Sequence, residues 1–337
     1  MKRVVLISSA VVIGALSAIS FTSCKKKEGV YNPEGKISKV YYEDYTVHPN
    51  DPKPDFTVPR ELVEVWTWDK KKLLQIESKA HNWALQFVYK GNQVQEIMSG
   101  NDVFKFSYED KSKLKKIELL DDKSRPVLNI TVDDRNGDEK ITKLTYEQFT
   151  YTETEEKSLL RKLRPVVNIM MGENVGETMI RGMEENAKMR KATTTTKVTT
   201  QVELTYNGNN ISEEKRTIVQ ENVVPQTIII KYKHDNKSNP YYQAFALMYD
   251  FYASSAFGTE KLNALFATTS ENNIESYAIY NADKPEEAVD SVQFVYKYNG
   301  DGYPTERDKV KEHVIPTGGD STRFVTHTVF HYEYVTK

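Results

Sequence analysis

Trp66-Thr67-Trp68-Asp69-Lys70-Lys71-Lys72-Leu73-Leu74-Gln75-Ile76 reads as two short strands around a polar turn. Phe87-Val88-Tyr89, Lys90-Gly91-Asn92-Gln93 and Val94-Gln95-Glu96-Ile97 repeat the pattern. Phe106-Ser107-Tyr108, the polar stretch 109–113 and Leu114-Lys115-Lys116-Ile117 repeat it again, so that Ile76, Ile97 and Ile117 fall 21 and 20 residues apart. Two strands rising about 3.3 Å per residue, with two turns, fill such a period. A looser fourth copy runs from Ile130-Thr131-Val132 through Asn136-Gly137 to Ile141 and Tyr146. Gly91-Asn92 and Asn136-Gly137 supply the positive backbone angles of tight hairpins. The fold class that follows is mainly β: an antiparallel meander of repeated hairpins forming a curled, elongated sheet. Trp66, Trp68, Phe87, Tyr89, Phe106 and Tyr108 recur on one face, where rings normally form core; Trp66, Trp68, Tyr89 and Tyr108 are also the candidate binding surface if that face is open.

The pattern breaks at about 155–191. Leu159, Leu160, Leu163, Val166, Val167 and Met170 recur at near-helical spacing, which predicts a small helical insert laid across the sheet. Strand-forming sequence returns at Thr193, continues through Val202 to Tyr206, turns at 207–210 and resumes over Gln226 to Tyr232. A second helical stretch is expected over Tyr241–Phe266. Because repeats flank the insert, residues 59–337 are read as one β-repeat domain.

Lys2 and Arg3 precede the apolar run Val4 to Phe21, a secretory signal over 1–23. Phe21-Thr22-Ser23-Cys24 resembles a bacterial lipobox, in which the Cys takes a diacylglyceryl group and becomes the N-terminus. Cys24 is the single cysteine of the 337 residues and is followed by Lys25-Lys26-Lys27, a setting unlike that of a buried thiol. Each buried lipid methylene adds about 0.8 kcal/mol, so two or three chains anchor the protein to a membrane. Lys25 after Cys24 resembles the outer-membrane sorting pattern of Gram-negative bacteria, which leaves the periplasmic or surface-exposed face undetermined. Residues 24–58, with Pro33, Pro49, Pro52 and Pro54, read as the lipidated Cys and a tether, within which Lys36 to Tyr45 alternates as one strand.

Forty-six Lys and Arg against 48 Asp and Glu leave a net charge of −2, which offers no field for nucleic acid. A lone Cys forbids an internal disulfide, and Walker, Rossmann and Gly-x-Ser-x-Gly patterns are absent.

His234 to Ile274 contains Asp235-Asn236-Lys237-Ser238-Asn239-Pro240 and Asn272-Asn273-Ile274, and Tyr296-Lys297-Tyr298-Asn299-Gly300-Asp301-Gly302-Tyr303-Pro304 follows. Together with the aromatic, turn, Leu-x-x-Ile repeats these resemble a family of Bacteroidetes lipoproteins of unknown function related to tyrosine–aspartate (YD) repeats. The resemblance covers about 60–310 and implies an architecture without a catalytic assignment. Turn chemistry accounts for the same motifs: Asn239-Pro240 starts a turn, and Gly300 and Gly302 serve a hairpin.

Asp134-Arg135-Asn136-Gly137-Asp138 resembles the start of a calcium loop, with Asp134, Asn136 and Asp138 as ligands, but Glu139 stands where the sharp-turn Gly belongs and Thr145 where the closing Glu belongs. A hairpin turn is the first reading and weak calcium binding the second; apart from the Cys24 lipid, no other cofactor is expected. His327 and His331 lie about 13 Å apart along a strand, too far to share a metal. The functional expectation is a non-enzymatic envelope lipoprotein that binds or scaffolds a glycan or an envelope protein. Alternatives are a glycoside or envelope-polymer hydrolase built on a carboxylate pair, and a purely structural component.

Overall fold

A computed structural model describes residues 28–48, 60–79, 83–100, 102–110, 112–120, 124–150, 196–220, 224–242, 270–317 and 320–336. The signal 1–23, Cys24, the insert 155–191 and nearly all of the stretch 241–266 lie outside them.

Sixteen strands account for most of these residues: Ile37–Val47 (β1), Glu61–Asp69 (β2), Lys72–Ser78 (β3), Trp83–Lys90 (β4), Gln93–Ser99 (β5), Asp102–Glu109 (β6), Lys113–Leu120 (β7), Pro126–Arg135 (β8), Ile141–Thr150 (β9), Thr196–Asn207 (β10), Asn210–Gln220 (β11), Gln226–Ser238 (β12), Asn272–Asn281 (β13), Lys284–Tyr298 (β14), Pro304–Thr317 (β15) and Asp320–Tyr334 (β16). Each is antiparallel to its neighbours in chain order, and β1 pairs with β16 as well as β2. The expected curled sheet is therefore a closed barrel. Closure satisfies the edges that a helix was expected to cover. The closing strand is the one read inside the tether, so residues 28–48 belong to the barrel and not to a spacer.

The Leu-x-x-Ile spacing, one residue too long for two inward positions on a regular strand, is a β-bulge. Thr67 pairs with Gln75 but Trp68 with Leu73, so Leu74 is extra and both Leu73 and Ile76 face inward. Gln95 in β5 and Lys115 in β7 are the same insertion. The register shifts likewise at Ser38, Ser212, Glu275 and Thr305, and β9 carries an irregular version opposite Arg135. Every odd-numbered strand thus opens with the same pair of inward positions, giving eight hairpin repeats around the barrel.

The aromatic of each repeat serves that bulge. Trp68 Nε1 donates to Ile37 O (2.7 Å), Tyr89 Oη to Leu73 O (2.7 Å), Tyr108 Oη to Val94 O (2.6 Å) and Tyr206 Oη to Ile141 O (2.8 Å). Tyr334 reaches Pro304 O, Arg135 Nη2 takes the equivalent role toward Leu114 O, and Ile274 O is reached by Tyr296, two residues before the equivalent Tyr298, which turns to Asp235. Each polar tip bonds the first bulge carbonyl of the preceding hairpin, where the ladder is interrupted. An aromatic with a donor at its end is what the position requires. Tyr89→Phe keeps the ring and removes the donor, with an expected loss of about 1–2 kcal/mol in urea unfolding; an unchanged midpoint would show that the carbonyl finds another partner.

Inward residues from strands around the barrel form one hydrophobic cluster, with Leu73, Phe104, Leu119 and Ile230 all at 0 % exposure. The interior is filled at this level and is not a channel. The outward positions are charged: Lys143, Glu203 and Lys215 link β9, β10 and β11, Lys197 meets Glu147, and Lys297 meets Glu306. A membrane-spanning barrel has the reverse polarity, and each Lys facing lipid at mid-depth costs about 2–4 kcal/mol. The described wall is a water-facing one. No helix among the described residues is long and apolar enough to cross a membrane.

The two mouths differ. At the turn end lie the tight connections at 70–71, 91–92, 208–209 and 299–303. Residues 28–36 cross that mouth as a strap. Glu28 Oε1 and Oε2 accept from Arg135 Nη1 and Nη2 (2.7 and 2.9 Å), and Oε2 also accepts from Leu114 N (2.6 Å). Tyr31, 3 % exposed, packs on Trp68 and donates to Pro240 O. The three motifs at 235–240, 272–274 and 296–304 meet beside it. Asp235 accepts from Asn273 N and Nδ2 and from Tyr298 Oη, and Asn239 Nδ2 donates to Ser270 O. They form a clasp joining β12, β13 and β14. The loop end carries the connections 48–60, 121–125, 151–195 and 318–319, largely outside the described residues.

Candidate functional site

Trp66 is 4 % exposed and packs against Trp68 and Tyr241, with ring centroids 6.5 and 6.0 Å apart. Trp68, Tyr89 and Tyr108 are half-buried with their tips committed to bulge carbonyls. The four expected binding rings therefore lie on the inner side of the wall and present no open platform. Burial pushes the Tyr89 phenol up to about 12 and raises that of Tyr108 further, which keeps both protonated as donors.

At the expected calcium loop, Asn136 Oδ1 accepts from Asp138 N and Lys140 N, Asp134 Oδ1 accepts from Arg135 N, and Glu139 adopts a φ of 66°. Asn136 thereby closes the β8–β9 turn with the oxygen a cation would use. Among the described residues, no three His, Cys, Asp or Glu side chains come together around a common point. Cys24 lies outside the described residues.

Two repeats depart from the apolar rule in the interior. The second inward bulge position is Val40, Ile76, Ile97, Ile117, Leu144 or Tyr277 in six copies, but Glu214 in β11 and Arg307 in β15. Glu214, 0 % exposed, pairs with Arg216, 1 % exposed, and accepts from Tyr232 Oη (3.0 Å). Burial raises the Glu214 carboxyl, against the pull of Arg216. Arg307 lies over Phe330 (4.7 Å) and Phe294 (5.8 Å) and faces Glu64, whose carboxyl burial also raises. Asn239, Asn273, Phe294, Tyr296, Arg307 and Tyr332 border a cavity of about 20 Å³ there. That is room for one water molecule, not for a sugar.

The larger surface is at the loop end. The wall rises from 7–8 residues in β3–β7 to 14–15 in β14–β16, about 25 against about 48 Å of strand. Register with the inward Tyr332 and Phe330 places Thr328, Thr326 and Phe324 of β16 on the inner face, together with Asp44, Thr46 and His48 beyond Tyr42. The same alternation puts Lys309, Lys311 and His313 of β15 there. The rings of His48, Phe324 and His313 then stand in a row over three adjacent strands, 5.8 and 4.7 Å between centroids, the second pair stacked at 7°. Below them His313 Nε2 meets Thr326 Oγ1 (3.0 Å), and Lys311 pairs with Asp290 (3.2 Å). Asp44, Thr46 and His48 are exposed.

The outer face of the same strands carries the other histidines. His327 lies 2.8 Å from Asp308 and stacks on Tyr45, while His331 sits between Glu43 (2.5 Å) and Glu306 (3.5 Å). His327 and His331 have different carboxylate partners, as their strand spacing requires. Nothing in the sequence assigns these three residues a common role: His48 falls in the stretch read as a tether, past its strand, and the convergence with His313 and Phe324 depends on the register of β1, β15 and β16.

No protein-family model matches the chain, and no curated protein matches it. Among solved structures, a porin-like protein from Bacteroides vulgatus ATCC 8482 aligns with a TM-score of 0.45 at 7 % identity, over 90 % of this chain and 100 % of that one. A porin-like protein from Bacteroides uniformis ATCC 8492 aligns at 0.33 and 10 % identity, over 88 % and 98 %. Neither likeness is close enough to transfer a function.

Proposed function

We propose that the chain is a lipid-anchored protein of the Gram-negative envelope, held at the outer membrane through Cys24, that binds a glycan without catalysis on the inner face of its tall wall. The observation that carries this reading is the row His48, Phe324 and His313 beside Thr326 and the Lys311–Asp290 pair. Flat ring faces next to fixed hydroxyl and charged groups match a sugar, whose C–H face stacks while its hydroxyls hydrogen-bond. A hydrolase would need two carboxylates in a pocket large enough for a sugar. Among the described residues, Glu43 and Glu306 share His331 on the outer wall, and the interior cavity beside Arg307 has room for one water molecule only.

Soluble protein from residue 25, screened on a glycan array and followed by calorimetry, tests the reading. Phe324→Ala is expected to weaken glycan binding about tenfold, which corresponds to about 1.4 kcal/mol, whereas Tyr89→Phe leaves affinity unchanged. A silent array, or equal binding by Phe324→Ala, refutes the glycan site.

A further inference from the structure

We propose that the turn end of the barrel is its membrane-docking face, seated on an anionic phospholipid surface through the β2–β3 and β4–β5 turns, with the loop end pointing away. This rests on the reading of Cys24 as the lipidated residue. Four residues of chain reach at most about 14 Å, and Glu28 is already fixed on the barrel. It donates its backbone N–H to Ser112 O, accepts from Gln93 Nε2 through its own carbonyl, and is clamped by Arg135 and Leu114 N. The lipid must therefore emerge beside the β4–β5 and β6–β7 turns. The strap leaves no slack to turn the molecule over.

The surface around that exit has the charge to match. Lys70, Lys71 and Lys90 are exposed on neighbouring turns, with Lys36 over the Trp68 ring and Lys72 over Tyr89 beside them. Glu34 and Asp69 are the acidic residues among them, while Glu109 and Asp110 mark where the next turn becomes acidic. A Lys near an anionic bilayer contributes about 1 kcal/mol within a Debye length, so the basic sector tilts toward the lipid and the acidic turn away. The exposed residues at the loop end stand about 25 Å farther out by the length of β13 at an ordinary barrel tilt.

The test uses the mature, lipidated full chain in vesicles of phosphatidylcholine with or without phosphatidylglycerol. Lipidation of Cys24 occupies the only native thiol, so Asn92→Cys at the turn end and Asp283→Cys at the loop end can each carry one fluorophore. With headgroup-quencher lipids, the label at 92 is expected to be quenched at least threefold more than the label at 283. Adding Lys70→Glu, Lys71→Glu and Lys90→Glu should shrink that ratio in anionic vesicles, and Glu28→Ala should bring it toward one by freeing the strap. Equal or reversed quenching in a chain whose Cys24 carries lipid by mass spectrometry overturns the orientation. A ratio that ignores both phosphatidylglycerol and the charge reversals overturns the lysine contact. An unmodified Cys24 defeats the anchoring reading itself and is recognised before any quenching is measured.

Discussion

Arg216→Met is expected to destabilise the barrel by about 3–5 kcal/mol, because it leaves the Glu214 carboxylate buried without its counter-charge. The double variant Glu214→Ile with Arg216→Leu should return close to the wild type, since Glu214 occupies the bulge position that other repeats fill with Ile, Leu or Val. Removing both charges also removes both desolvation costs, which is why an apolar replacement of a buried pair is often neutral or stabilising. Acid pH supplies the sign. Burial raises the Glu214 carboxyl in the native state, so its contribution is fully present below the ordinary carboxylate range and is lost as pH rises through the native value. In Arg216→Met the native value rises further, and the deficit measured by urea unfolding should narrow as pH falls. A double variant as unstable as the single one would mean that the pair specifies the packing of β11 and β12 and is not an interchangeable filling.

The repeat itself is plain in the sequence because each hairpin must bury the same few side chains locally. Leu73, Val94 and Leu114 each stand three residues before an Ile; the sequence shows that spacing but not the bulge that reconciles it with a strand. Closure is less legible, since it depends on Val40 meeting Tyr332 at the far end of the chain, and nothing in the stretch 36–45 names its partner. Within the motifs at 235–240 and 296–304, Asn239-Pro240 and 299–302 read correctly as turns. Their joint clasp appears only when the fold brings Tyr298 to Asp235. The candidate site was hidden for the same reason. His48, His313 and Phe324 are unremarkable singly, and the prominent rings Trp66, Trp68, Tyr89 and Tyr108 read as core or as binding surface because both use the same residues.

His234→Tyr is expected to remove a loss of stability that the wild type shows between about pH 6.5 and 4. His234 stands opposite Ile274, where Trp68, Tyr89, Tyr108, Tyr206, Tyr298 and Tyr334 stand in other repeats. It faces inward beside Tyr232, its Nε2 is buried with no hydrogen-bond partner among the described residues, and burial lowers its pKa to about 4 against a smaller opposing effect of Asp235. A histidine whose native pKa is depressed favours the fold above its unfolded value near 6.5 and loses that contribution as pH falls toward the native one, because the unfolded chain takes up the proton first. The full shift corresponds to about 3 kcal/mol, which partial solvent screening reduces to about 2 kcal/mol. Tyr at this position does not titrate in that window and restores the side chain of the other repeats, so its urea midpoint should stay level from pH 7 to 5 while that of the wild type falls. Parallel decline of the two proteins would place the acid sensitivity elsewhere in the barrel.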